Sequence, residues 1–181
     1  MVVFHPPLEL LPTDTPTRLI QWSPPTLHDF CLNVDGGVSP STGIAYIAYL
    51  LRDNRGNWVM GFKKTVGFVQ PLCAELWALH TSLQFALQIQ SNGMEALKLI
   101  QVPLASSSSI PLVRSISNMI GKHWLISFNW VLRDANKPTD MLAKLADHSQ
   151  IAIAVLHIAP TVMLPLLKRG ILGPPYLKSK H

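Results

Sequence analysis

Three acidic side chains stand where the chain passes from one predicted element to the next. Asp35 ends a short alternating run before two glycines, and Glu75 and Asp140 each lie in the first turn of a helical pattern. Carboxylate oxygens of this kind can bind a hard divalent cation. The same residues also have ordinary roles, because Asp-Gly forms turns and acids near a helix N-terminus complement the helix dipole. Position alone leaves both interpretations open.

The elements that position these acids follow from hydrophobic periodicity. A short alternating run, an aromatic and β-branched run and a third strand after a turn at residues 53–57 indicate an antiparallel meander. Later segments alternate between helical and strand patterns. The predicted strands are residues 30–35, 44–51, 58–66 and 124–132, and the predicted helices are residues 71–90, 94–102, 111–120 and 136–148. A meander followed by helices, a strand and a helix favours a mixed α/β sheet.

Composition sets the expected domain boundaries. Residues 1–22 are rich in Pro and Thr and predict a flexible lead, residues 23–149 contain the predicted elements, and residues 150–181 form a tail that is first apolar and then basic. The apolar stretch at 151–167 is shorter than the roughly 20 residues that a membrane-spanning helix needs. We therefore expect it to dock on the domain, with no membrane partner.

Four short motifs occur in order along the chain. They are L-N-V-D-G at 32–36, L-R-D-x-x-G-x-W at 51–58, A-E-L-W-A-L at 74–79 and V-L-R-x-A-N-x-x-x-D-x-L-A at 131–143. With these motifs, residues 22–147 resemble the plant retroelement-type ribonuclease H domain. The resemblance implies a five-stranded mixed sheet of strand order 3-2-1-4-5 with flanking helices. It also implies hydrolysis of the RNA strand of RNA–DNA hybrids, with two Mg²⁺ or Mn²⁺ ions held by four carboxylates.

The resemblance also assigns site residues. Asp35, Glu75 and Asp140 match three of the four carboxylates and are the expected catalytic and metal-binding residues. Weaker candidates for contact with nucleic acid lie in the same motifs: Asn33, Trp130, Arg133 and Asn136. An aromatic face such as that of Trp130 can stack on a base, although core packing is its alternative role.

The chain departs from the family pattern at three places. In the family, a strand after the long helix ends in Asp-Ser, whereas Ser91-Asn92-Gly93 leads directly into a predicted helix. We therefore expect the fourth strand and its aspartate to be missing. Glu95 could replace the missing ligand, but a solvated helix position is the simpler explanation for this residue. Trp130 occupies the place of a family histidine, and bulky residues at 45–49 replace a Gly-rich run.

Charge and cysteine usage constrain the partners. The formal net charge is +5 and the pI is about 9.4, which is compatible with a polyanion such as nucleic acid. Cys31 and Cys73 have no paired-motif spacing, so the sequence indicates neither a zinc site nor a disulfide framework. We expect an intracellular protein, in the nucleus or the cytoplasm.

Three functions are compatible with the sequence. The first is a metal-dependent hybrid endonuclease whose activity is impaired by the loss of one catalytic aspartate. The second is a non-catalytic nucleic-acid-binding or interaction module on the same fold, and the third is a decayed retroelement relic that folds poorly. The geometry of the site must decide between them, because a fold does not fix a function.

Overall fold

The structure, a computed structural model, describes residues 3–4, 19–20, 22–25, 30–83, 88–91, 93–120, 127–145, 154–172 and 176–177. The strands are β1 (Val3–Phe4), β2 (Leu19–Ile20), β3 (Cys31–Val38), β4 (Ala45–Arg52), β5 (Trp58–Gly67), β6 (Gln88–Ser91), β7 (Ser127–Trp130), β8 (Ala154–Leu156) and β9 (Tyr176–Leu177). The helices are α1 (Pro71–Ser82), α2 (Met94–Gln101), α3 (Pro111–Ile120), α4 (Lys137–Lys144) and α5 (Leu164–Leu172).

Seven of these strands form one mixed sheet in the order β1-β7-β6-β3-β4-β5-β8. Strands β3, β4 and β5 are antiparallel neighbours, while β6 runs parallel to both β3 and β7. The five central strands therefore have the order 3-2-1-4-5 when they are numbered along the domain. The predicted mixed α/β architecture with flanking helices is confirmed.

The expectation that the fourth strand is missing is wrong. Residues 88–90 were predicted to continue the long helix and Ser91 to stop it, but β6 pairs with β3 on one side and with β7 on the other. Helix α1 ends at Ser82 instead. Pairing with the neighbouring strands determines the conformation of this segment, because its own polar and apolar residues suit a helix about as well as a strand. Its sequence, Gln-Ile-Gln-Ser, nevertheless carries no carboxylate.

Helices cover both faces of the sheet. On one face, α1, α2 and α3 bury a core with Leu32, Val34 and Tyr49, and Tyr49 stacks on Phe62 with ring centroids 4.4 Å apart. On the other face, α4 and α5 enclose a second cluster around Leu50. Successive side chains on a strand point to opposite faces, so β3 sends Asn33 and Asp35 toward the α4 side.

The expected lead and tail both contribute to this fold. Strand β1 pairs with β7, β8 pairs with the outer edge of β5, and β2 pairs with β9. Trp22 is buried, and so are Met163 and Leu167 from the tail. Within the described ranges, no helix combines the length and the apolar character that crossing a membrane requires.

A buried guanidinium lies at the end of β4. Arg52 is fully buried, and its Nε and Nη2 donate to Oδ1 of Asn33, the Nε bond measuring 3.2 Å. The indole ring of Trp22 covers the guanidinium, with 3.7 Å between Cζ and the ring centroid. Burial lowers the pKa of Arg52 to about 9, so the group stays charged at neutral pH.

Close packing at Gly36 joins α1 to the sheet. A Cβ added there would overlap the carbonyl group of Ala74 and would lie 2.7 Å from the backbone nitrogen of Glu75. These atoms are helix backbone, so they cannot rotate away as a flexible side chain would. Only glycine lets α1 approach β3 this closely.

Gly36→Ala should therefore destabilise the protein. We expect a loss of about 1–3 kcal/mol of unfolding free energy, the usual cost of overpacking, measured by urea denaturation. The matched control is Gly170→Ala in α5, where the added Cβ has no neighbour closer than 3.7 Å. Helix propensity makes that change neutral or stabilising. Equal urea midpoints for Gly36→Ala and the unsubstituted protein would contradict the close-packing argument.

Asn33→Ala should also destabilise the protein, because it leaves two N–H donors of the buried Arg52 without their acceptor. Hydrogen bonds to charged groups contribute about 1.5–3 kcal/mol, and we expect a loss of that size in the same measurement. Asn118→Ala, at an exposed position of α3, is the control and should change stability by less than about 0.5 kcal/mol. A loss at Asn33 no larger than that at Asn118 would show that Arg52 finds other partners.

Candidate functional site

Asp35 lies in the middle of β3 and is buried to 5% exposure. It pairs with Ala48 on β4 and shares a sheet face with Gly37, which pairs with Tyr46. The two-residue offset brings Tyr46 and Asp35 to neighbouring positions on one side of the sheet. Asp35 is therefore a strand residue. The alternative interpretation, in which Asp35 caps a turn, does not apply.

Glu75 is the fifth residue of α1, one turn later than the sequence suggested. Its carboxylate lies over the start of α2, because a Cβ added at Gly93 would be 2.8 Å from Oε2 of Glu75. Burial raises the pKa of Glu75, and the negative charge of Glu95 raises it further, whereas Arg133 opposes both. Glu95 thus acts as a repelling neighbour of Glu75.

Asp140 lies in the first turn of α4, as predicted. Both of its oxygens face side-chain cations: Nζ of Lys144 lies 2.5 Å from Oδ2, and Nη2 of Arg133 lies 3.5 Å from Oδ1. The sequence analysis missed Lys144. The signal was present, because an acid followed four residues later by a lysine on a helix predicts an ion pair.

Tyr46 brings a large side chain to the same place. A Cβ added at Gly37 would lie 2.9 Å from Cε2 and 3.0 Å from the hydroxyl of Tyr46, so the ring lies across β3 at that glycine. Burial raises the pKa of Tyr46, and the charges of Asp35 and Asp140 raise it further. The bulky side chains at 45–49 therefore lie on both faces of the sheet: Tyr46 lies beside the acids, and Tyr49 lies in the core beneath α1.

The end of β6 completes this region. Ser91 is buried, its Oγ accepts a hydrogen bond of 3.0 Å from the backbone nitrogen of Gly93, and its carbonyl oxygen accepts one of 2.9 Å from Val131. Asn92, between Ser91 and Gly93, lies outside the described residues. Its side chain is an amide, so neither the strand nor the two residues after it supply the fourth carboxylate.

These groups do not fit a two-ion Mg²⁺ or Mn²⁺ centre. Within the described ranges, no three His, Cys, Asp or Glu side chains lie close enough together to hold one ion. The Asp140 carboxylate already faces two cations, and β6 adds no acid. The assignment of Asp35, Glu75 and Asp140 as metal ligands stays a prediction from resemblance.

The four weaker candidates fall into two classes. Asn33 and Asn136 are fully buried; Asn33 accepts from Arg52, and Nδ2 of Asn136 donates to the carbonyl oxygen of Val34 over 2.8 Å. Their proposed contact with nucleic acid is therefore corrected to a structural role, because matching a motif does not reveal burial. Trp130 is half-buried, whereas the side chain of Arg133 is 75% exposed.

Comparisons with known proteins agree with this fold. A family described as "Reverse transcriptase-like" matches residues 33–146. The Arabidopsis thaliana protein "Putative ribonuclease H protein At1g65750" is 27% identical over 164 residues, which cover 86% of this chain and 26% of that protein. The chain thus spans about a quarter of that relative's length.

Two solved structures are also similar. LC11-RNase H1, isolated from compost by a metagenomic approach, has a TM-score of 0.54 and 17% identity, covering 65% of this chain and 94% of its own. RNase H1 from the halophilic archaeon Halobacterium salinarum NRC-1 has a TM-score of 0.49 and 21% identity, covering 64% and 94%. The first likeness shows the fold. Since the family match covers more than half of the residues, the chain belongs to the reverse transcriptase-like family and is a ribonuclease H-like domain.

Proposed function

We propose that this domain binds nucleic acid, with RNA–DNA hybrid as the favoured ligand, and does not hydrolyse it. The proposal depends on β6. This strand occupies the position in the sheet that the family's fourth strand takes, but its sequence, Gln-Ile-Gln-Ser, contains no carboxylate. The family fold supports nucleic-acid binding, and the lost acid argues against efficient hydrolysis.

The surface beside the acids suits a phosphate backbone. Arg133 is exposed next to Asp140, and the half-buried Trp130 lies three residues earlier at the end of β7. Arginine binds phosphate oxygens, and aromatic faces accept bases of any sequence. The net charge of +5 adds a general attraction for polyanions.

A second candidate is the metal-dependent hybrid endonuclease that the resemblance implies, using Asp35, Glu75 and Asp140 with Mg²⁺ or Mn²⁺. Two contacts favour it. The close approach of α1 at Gly36 and the hydrogen bond from Asn136 to β3 draw the elements that carry all three acids to one strand. A working site would still require Asp140 to exchange its side-chain cations for a metal ion.

Binding is tested by fluorescence anisotropy with a labelled RNA–DNA hybrid at several salt concentrations. We expect Arg133→Ala to weaken binding and to reduce the slope of log K against log salt by about 1, as the loss of one phosphate contact does. Arg55→Ala, on the turn at the far end of β4, is the control and should leave the slope unchanged. No binding to hybrid by a folded protein would refute the proposed function.

Cleavage of the same hybrid, in Mg²⁺ and then in Mn²⁺, separates the two candidates. The proposed function predicts no more product than with Asp35→Asn. Product that disappears with Asp35→Asn would establish the endonuclease instead. Urea denaturation decides the third interpretation, because a relic that folds poorly would lack a cooperative unfolding transition.

A further inference from the structure

The ion pairs at Asp140 are part of the local structure. Lys144 follows Asp140 by one turn of α4, so the helix itself brings the ammonium to the carboxylate. The Asp140 side chain is only 16% exposed, which limits the solvent screening that weakens surface ion pairs. The side chain of Lys144 is 53% exposed, so solvent still screens the pair in part.

Arg133 acts on both Glu75 and Asp140. It lies 3.5 Å from Asp140, and its charge also acts on the carboxyl of Glu75, where it opposes the rise in pKa caused by burial. When ionised, Asp35, Glu75 and Asp140 carry three negative charges. Arg133 and Lys144 supply two positive charges, which is the charge of one divalent cation.

The hydroxyl of Tyr46 lies among these groups. Its position across Gly37 places the ring on the Asp35 side of the sheet, and Tyr46 is 7% exposed. The charges that act on its hydroxyl are those of Asp35, Asp140, Lys144 and Arg133. A bulky phenol at this point occupies volume beside Asp35 that an ion and its water molecules would otherwise use.

We propose that Lys144 and Arg133, beside the phenol of Tyr46, form a built-in counter-ion for the acidic site and thereby exclude divalent cations from it. The inference rests on the proposed function, because side-chain cations let a phosphate backbone approach the acids without a metal ion. It assigns to Lys144 the role of excluding metal ions, with Arg133 as its partner.

The test is Mn²⁺ binding, followed by the electron paramagnetic resonance signal of the free ion. Unit charges a few ångströms apart interact strongly at a partly buried site. We therefore expect Lys144→Met and Lys144→Gln to bind Mn²⁺ at least about tenfold more tightly than the unsubstituted protein. Lys98→Met removes the same charge from an exposed position of α2 and should leave Mn²⁺ affinity unchanged.

Two outcomes would overturn the inference. One is that both Lys144 variants, with circular dichroism spectra like that of the unsubstituted protein, bind Mn²⁺ no more tightly than it does. The other is an equal gain in affinity with Lys98→Met, which would show a general charge effect. The Mn²⁺ titration tests the counter-ion and the hybrid titration tests the function, so the two proposals fail separately.

Discussion

The buried charge of Arg52 is the constraint that the surrounding structure satisfies. Removing an unpaired ion from water costs several kcal/mol, so the interior must supply partners. Asn33 of β3 accepts from the guanidinium, and Trp22 of the lead covers it. Nη1 of Arg52 has no hydrogen-bond partner among the described residues and faces α5 at Gly170, where an added Cβ would lie 3.7 Å from it. Three segments far apart in sequence must therefore be in place together, which joins the termini to the central sheet.

The same sheet positions the three acids of the candidate site. Packing brings the elements that carry Glu75 and Asp140 against β3, which carries Asp35, whether or not the three acids act together as ligands. In the proposal made above, Lys144 and Tyr46 alter what these acids bind without disturbing the strands beneath them. A sheet can thus preserve the geometry of a catalytic family while its side chains support another function.

Local pattern predicted the elements whose residues determine their own conformation: the meander β3–β5 and helix α3 agree with expectation to within a few residues. The local pattern failed at β6, because this short polar segment continues the helical periodicity of α1. Its strand conformation depends on pairing with the two neighbouring strands. Ordered motifs located the three acids. They could not distinguish the buried Asn33 and Asn136 from surface residues, since exposure depends on tertiary packing.

The family match ends at residue 146, but the hydrophobic layer over the sheet continues to α5. Met163 and Leu167 lie against the cluster that contains Leu50, and β8 covers the edge of β5. A fragment cut at the end of the match would open an apolar sheet face and an unpaired strand edge, both of which promote association between chains. The family match and the segment that folds as a unit therefore have different ends, so the domain boundary of this chain follows from packing and not from the family match.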